Sequence, residues 1–222
     1  KVVPTLVIYD PQLTLDLPPQ MTASSGINAL AHCIEALYSK TRNPLSTAAA
    51  IDGVRHIFNS LLHCYQNGDD LEARTEMLLG AHLAGLSLAS VSMGLHHGLC
   101  HVLGGSANIP HGIANSIILP HAIRFNADVT APQLLPVAEA MGIPVNGISP
   151  IGAVEAMAQK ISELIGKMNL PQRLRDAGVI SLREESELPS LALLGFQNRT
   201  VQNNPKPITD VTQMERLLRG AW

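Results

Sequence analysis

Two hydrophobic rhythms divide this chain. Residues 2–9 read VVPTLVIY, a β-branched and apolar run closed by Asp10-Pro11, which predicts one buried strand with proline at its edge. After a turn-rich connection, LTLDLPPQM, the period lengthens to that of a helix. Ser24 and Ser25 offer N-cap oxygens to a helix that carries Ala29, Leu30, Ile34 and Leu37 to about Lys40, where Asn43-Pro44 breaks the pattern. Further helices are predicted over 46–65 and 71–89, the latter with Ala and Gly on a face that permits close packing. Another covers 93–103 and is closed by Gly104-Gly105. Pro110 starts a helix over 111–124, Pro132 opens a short one through Met141, and Ser149-Pro150 precedes one over 151–168. Beyond Leu170 the pattern gives short helices around a polar stretch, 198–207, and a last helix from Thr209 to Leu218.

The expected fold class is therefore mostly α with one entrance strand. A lone buried strand cannot satisfy its own backbone, so its sheet partners are expected upstream of Lys1. Composition narrows the function classes. Hydrophobic residues are 46 % and charged residues 15 %, the opposite of a disordered chain. Aromatic content of 3 % favours helices over a β-sandwich, and with a net charge of −3 it argues against nucleic acid as a partner. The longest apolar stretch, 83–95, is too short to span a membrane. Cys33, Cys64 and Cys100 form no CxxC pair and read as free packing thiols, which with no signal-peptide pattern points to the cytoplasm.

The histidines carry the candidate chemistry. His56, His63 and His82 sit singly on ordinary helices, and His121 follows Pro120 without a partner motif. His97 and His101 are four apart and share one helical face; Asn28 and His32 repeat that spacing on an earlier helix. His111 opens the next helix after a Gly-Gly turn. Two such pairs and a helix-start imidazole can converge between packed helices, where imidazole serves as metal ligand or acid–base group.

These segments carry a family resemblance. SSGINALAHCIEAL resembles the G-x-D-A-L-x-H-x-x-E segment of the iron-containing alcohol dehydrogenases, and GLHHGLCHVLGGSANIPHGIANSIILPH resembles their G-x-x-H-x-x-x-H-x-L-G…P-H-G-x-A-N signature. VIYDPQLTLDLP is similar to the link between the two domains of those enzymes. The resemblance implies a dehydroquinate synthase-like C-terminal helical domain over 16–222, with 1–15 as the strand and linker from an N-terminal domain that binds NADH or NADPH. No Gly-rich strand–turn–helix phosphate cradle is legible here, since Gly104-Gly105 follows a helix. In metal-using members the ligand positions match Asn28, His32, His97 and His111, with Fe or Zn as the ion, and His101 matches a non-ligand histidine near nicotinamide and substrate.

The family has Asp where this chain has Asn28. Asn there, the Cys100 context and the closing LLRGAW resemble the maleylacetate reductase branch, which is understood to need no metal and reduces the carbon–carbon double bond of maleylacetate to give 3-oxoadipate in aromatic-ring degradation. Two features depart from that branch: Gly98 stands where it usually carries Lys, and HGIANSIILPH is closer to the metal-dependent dehydrogenases. A carboxylate suits a divalent cation, whereas an amide suits an enolate and a dianionic substrate. The resemblance thus implies a homodimeric, metal-independent reductase of a small dicarboxylate, with His101 and His97 catalytic and Asn28, His32 and His111 shaping the substrate pocket. Two alternatives stay open: a metal-dependent alcohol dehydrogenase that tolerates Asn28, and a helical domain with no catalysis of its own. Lys40, Arg42 and Arg124, near the motifs in sequence, read as surface cations rather than carboxylate anchors.

Overall fold

The computed structural model describes residues 4–179 and 183–222. Among these, helices run over Pro19–Tyr38 (α1), Pro44–Gln66 (α2), Leu71–Ser90 (α3), Leu95–Ala107 (α4), His111–Ala140 (α5), Pro150–Lys167 (α6), Glu184–Gln197 (α7), Arg199–Gln202 (α8) and Val211–Gly220 (α9). No single helix is long and apolar enough to cross a membrane; α3 and α4 reach that length only as a pair bent by 98°.

Two apolar cores meet along α5. The first joins α1, α2, α5 and α6 through residues such as Leu30, Ile34, Ile57, Leu134 and Ile161. The second joins α4, the front of α5, and α7 to α9 through Leu99, Leu103, Ile118, Leu191 and Leu218. The small-residue face expected on the third helix is used as read: a Cβ at Gly80 would lie 2.5 Å from Ile57 Cγ1, so α2 and α3 approach more closely there than an Ala would allow.

Several boundaries differ from the sequence reading. The expected strand is not formed: residues 4–9 carry no ladder, and Leu6 and Ile8 are 76 % and 79 % exposed. The remainder of that call, residues 2 and 3, lies outside the described residues. A β-branched run becomes a strand only against a partner edge, and among the described residues there is none. Ser24 and Ser25 are not caps; α1 starts at Pro19, suited to the first helical turn, and Ser25 Oγ bonds back to the Met21 carbonyl. Asn43 starts α2 rather than only breaking α1, by a capping box with Ser46.

Gly104-Gly105 does not end α4. The helix continues to Ala107 and stops where Asn108 turns left-handed at φ 53°. Nor does α5 stop at Arg124: it is one helix of 30 residues with Pro120, Pro132 and Pro136 inside it. Each proline forfeits a backbone bond, but Ala131, Leu134, Val137 and Ala138 are buried against the first core, and that packing overrides the local preference. The 14-residue α7 stands where only short helices were expected.

Gly98 has a steric reason. A Cβ there would sit 2.5 Å from Val201 Cγ2 and 2.9 Å from the Val201 backbone nitrogen, because α8 lies directly on α4. The side chain can rotate, but the backbone nitrogen cannot yield cheaply. Gly98→Ala is expected to lower stability by about 1–3 kcal/mol. Gly105→Ala, with nothing within 4 Å of its Cβ, should instead stabilise slightly. Urea-unfolding midpoints of both variants check this; equal midpoints would show that α8 gives way freely.

Candidate active site

The site is built where α1, α4 and α5 meet, between the two cores. On α1, Asn28, His32 and Glu35 lie on successive turns of one face. On α4, His97 and His101 do the same, and His111 is the first residue of α5. The His32 and His97 rings stack with centroids 4.1 Å apart, His97 and His111 lie 6.4 Å apart, and His101 stacks on His111 at 5.7 Å. All four histidines read from the motifs are thus brought together, with Asn28 one turn before His32. His97 is buried, whereas His101 and His111 are exposed, so the cluster opens to solvent at that end.

Two residues absent from the sequence-derived set hold it in place. Glu35, 1 % exposed, accepts from the backbone N–H of His96 at 2.9 Å and of His97 at 3.3 Å, and its Oε2 lies 2.6 Å from His97 Nδ1. It therefore caps α4 from another helix, where the positive end of the helix dipole favours a carboxylate. Asn204 supplies the remaining cap through Leu95 N, and Asn204 in turn exchanges two amide hydrogen bonds with Asn126 of α5. His96, fully buried, reaches His97 Nδ1 with its own Nδ1 at 3.2 Å and the Asn115 carbonyl with Nε2 at 3.4 Å. Glu35 was visible as the last letter of the G-x-D-A-L-x-H-x-x-E segment, and a buried acid three residues after a site histidine was the signal available.

Burial and mutual repulsion lower the proton affinity of His32, His96 and His111. His32 is pushed down to about 3, first by burial, then by His97 and His111, while a bond to the Asn28 backbone acts the other way. His96 is held well below its ordinary value by burial and then by His97, and His111 is lowered by burial and then by His101 and His97. Burial drives the Cys33 thiol up to about 12 and the Cys100 thiol well above its usual range, in keeping with packing rather than nucleophilic roles.

Two buried acceptors face the cluster without a partner: Asn28 Oδ1 and His97 Nε2. Together with His32 and His111 they are N and O donors of the kind a divalent cation such as Zn²⁺ or Fe²⁺ takes, although among the described residues the ligand atoms that lie within 4.8 Å of one another belong to Glu35, His96 and His97. The hold would be weaker than a carboxylate in place of Asn28 would give. The other histidines are occupied elsewhere: His56 with Glu76, His63 with Asp70 and His82 with Tyr9. Arg124 pairs with Glu155 of α6, and Lys40 and Arg42 lie past the far end of α1, so none of these cations joins the cluster.

Known proteins share this fold. Residues 22–222 match the model of the Fe-containing alcohol dehydrogenase family, C-terminal. The chain is 36 % identical over 203 residues to 1,3-propanediol dehydrogenase of Citrobacter freundii, covering 91 % of this chain and 51 % of that protein. It is 47 % identical over 143 residues to maleylacetate reductase of Burkholderia cepacia, covering 64 % of this chain and 41 % of that protein. The crystal structure of maleylacetate reductase from Agrobacterium tumefaciens superposes with a TM-score of 0.85 at 34 % identity, covering 99 % of this chain and 57 % of that one. The chain spans about half the length of the curated relatives it matches. The helical fold, the cluster at its centre and these likenesses have one reading: the chain belongs to the Fe-containing alcohol dehydrogenase family of oxidoreductases and corresponds to its C-terminal helical part.

Proposed function

We propose that the protein reduces the carbon–carbon double bond of maleylacetate, or of a closely similar unsaturated oxo-dicarboxylate, with NADH or NADPH and without a resident metal. The observation that carries this reading is the charge of the cluster: Asn28, His32, His97, His101 and His111 present no negative group, and the one carboxylate beside them, Glu35, is spent on three N–H groups of α4. Such a site suits a dianion and an enolate. The 47 % identity to a maleylacetate reductase over 143 residues supports the substrate class.

Reduced nicotinamide would supply the hydride when bound; among the described residues there is no strand–turn–helix cradle for its phosphates. Conjugate reduction leaves charge on an enolate oxygen, and fixed hydrogen-bond donors stabilise it, each worth about 3 kcal/mol. The Asn28 amide is the donor fixed on α1. His101, exposed at the mouth and stacked on His111, delivers the proton to carbon and regains it from solvent. His32 and His111, whose proton affinity is lowered chiefly by burial and then by neighbouring histidines, wall the pocket.

A second reading is favoured by the two unpartnered acceptors: a cation held by Asn28 Oδ1, His32, His97 and His111 would act as a Lewis acid toward an alcohol or aldehyde, the class named in the propanediol and lactaldehyde relatives. The intact protein decides between them. NADH oxidation with maleylacetate should be undiminished after exhaustive chelation. Activity that disappears with the metal and returns with Zn²⁺ or Fe²⁺ would make Asn28 a ligand and give the second reading the site.

A further inference from the structure

We infer that Glu35 and His96 are positioning residues that lock His97 in a single tautomer, Nδ1 protonated and Nε2 bare, so that this ring always meets the site as an acceptor. The inference deepens the reading of the same site but does not depend on which reaction occurs there. It follows from the partners of His97 Nδ1, of which Glu35 Oε2 is the nearer at 2.6 Å and His96 Nδ1 the second at 3.2 Å. His96 Nε2 lies 3.4 Å from the Asn115 backbone carbonyl, which can only accept, and 3.7 Å from Cys100 Sγ, which can accept as well; the carbonyl places the His96 proton on Nε2. Its Nδ1 is then a lone pair, and this lone pair lies 3.2 Å from His97 Nδ1. Two lone pairs at that distance repel, so His97 Nδ1 must carry the proton. Glu35 Oε2, 2.6 Å away on the same nitrogen, demands the same proton from the other side.

Two independent acceptors thus fix one N–H. His97 Nε2 is left as the lone pair that has no partner in the protein. Stacking against His32 at 4.1 Å and burial hold the ring in place, and a flip that exchanged its nitrogens would forfeit the 2.6 Å bond to Glu35. A carboxylate behind an imidazole raises the basicity of the opposite nitrogen, the device by which partners outside a site tune the group that faces it. The consequence for function is specific. In this tautomer His97 cannot donate to an enolate oxygen or carbon; it can accept a hydrogen bond from substrate, or bind a cation. The proton-delivering role falls to His101 alone.

The test reads the tautomer directly. The intact protein, labelled with ¹⁵N in histidine and freed of metal by chelation, is examined by long-range ¹H–¹⁵N correlation, with His97 assigned by its loss in His97→Asn. The expected spectrum has a pyrrole-type Nδ1 and a pyridine-type Nε2. The reverse pattern, or an averaged pair, overturns the proposal, and this arm needs no variant of Glu35 to fold. In Glu35→Gln, which keeps the shape and one capping oxygen, the two ¹⁵N shifts are expected to move toward each other. Turnover should fall 10–100-fold with the KM for the dinucleotide unchanged. Unaltered shifts in that variant would show that Glu35 only caps α4. Failure of maleylacetate reduction in the wild type would leave the tautomer result standing, so the two proposals fail separately.

Discussion

Replacing Asn28 with Asp is expected to reduce turnover of the unsaturated dicarboxylate by at least about 100-fold while giving the site a tighter grip on a divalent cation. The two effects share one cause. Asn28 Oδ1 is buried and has no hydrogen-bond partner, one turn before His32 and on the face that meets His97. As an amide, the side chain can present a donor edge to an enolate or a neutral oxygen to a cation. A carboxylate has no donor edge, and its charge repels both a dianionic substrate and the charge that develops on reduction.

The same substitution should be visible in stability. A carboxylate oxygen placed where no protein group donates to it loses its water without compensation, so the chelated variant should unfold more easily than the wild type. Added Zn²⁺ should reverse that, by about 2.7 kcal/mol at one hundred times its dissociation constant. Turnover with maleylacetate, Zn²⁺ competition against a chromophoric chelator, and unfolding with and without metal measure the three effects. A variant with full turnover would remove the neutral amide from the mechanism. A wild type already as tight for Zn²⁺ as the variant would favour the alcohol dehydrogenase reading.

The cluster was legible because its spacing is helical. Asn28–His32 and His97–His101 are each one turn apart, and that geometry survives an error of several residues in where the helices begin. The start of α1 lies at Pro19, ahead of the expected caps Ser24 and Ser25, and the end of α4 moved from Leu103 to Ala107, yet every site residue stayed on its face. Hidden from the sequence was everything that depends on a distant partner. Glu35 reaches α4 across 61 positions, and Asn204 reaches it across 109. Pro132 reads as the start of a separate helix because the burial that sustains α5 through it comes from α6 and α1, which local pattern does not contain. Residues 4–9 erred the other way: their pattern fits a strand, but a strand is made by its neighbour.

Acid should weaken the chelated protein in the window between pH 6.5 and pH 5, before ordinary carboxylates titrate. An unfolded histidine binds its proton near pH 6.5. Folded His32 does not until about pH 3, and His96 is likewise held well down, in both cases chiefly by burial and then by His97. Between those values the unfolded chain binds more protons than the folded one, so stability falls as pH falls and is unaffected above pH 6.5. Each such histidine removes up to about 1.4 kcal/mol per pH unit. His111, exposed at the mouth, adds less, because solvent screens it. His121, lowered by burial and by Arg124 on another part of α5, contributes in the same window and must be separated. Asn28→Asp does so: a carboxylate one turn from His32 favours its protonated form and should flatten the slope, while His121 lies out of reach. Urea-unfolding free energies at pH 7.5 and pH 5.5 for both proteins test this. A wild type equally stable at the two values would mean that the buried imidazoles accept protons in the fold, and equal slopes in the two proteins would place the effect outside the cluster.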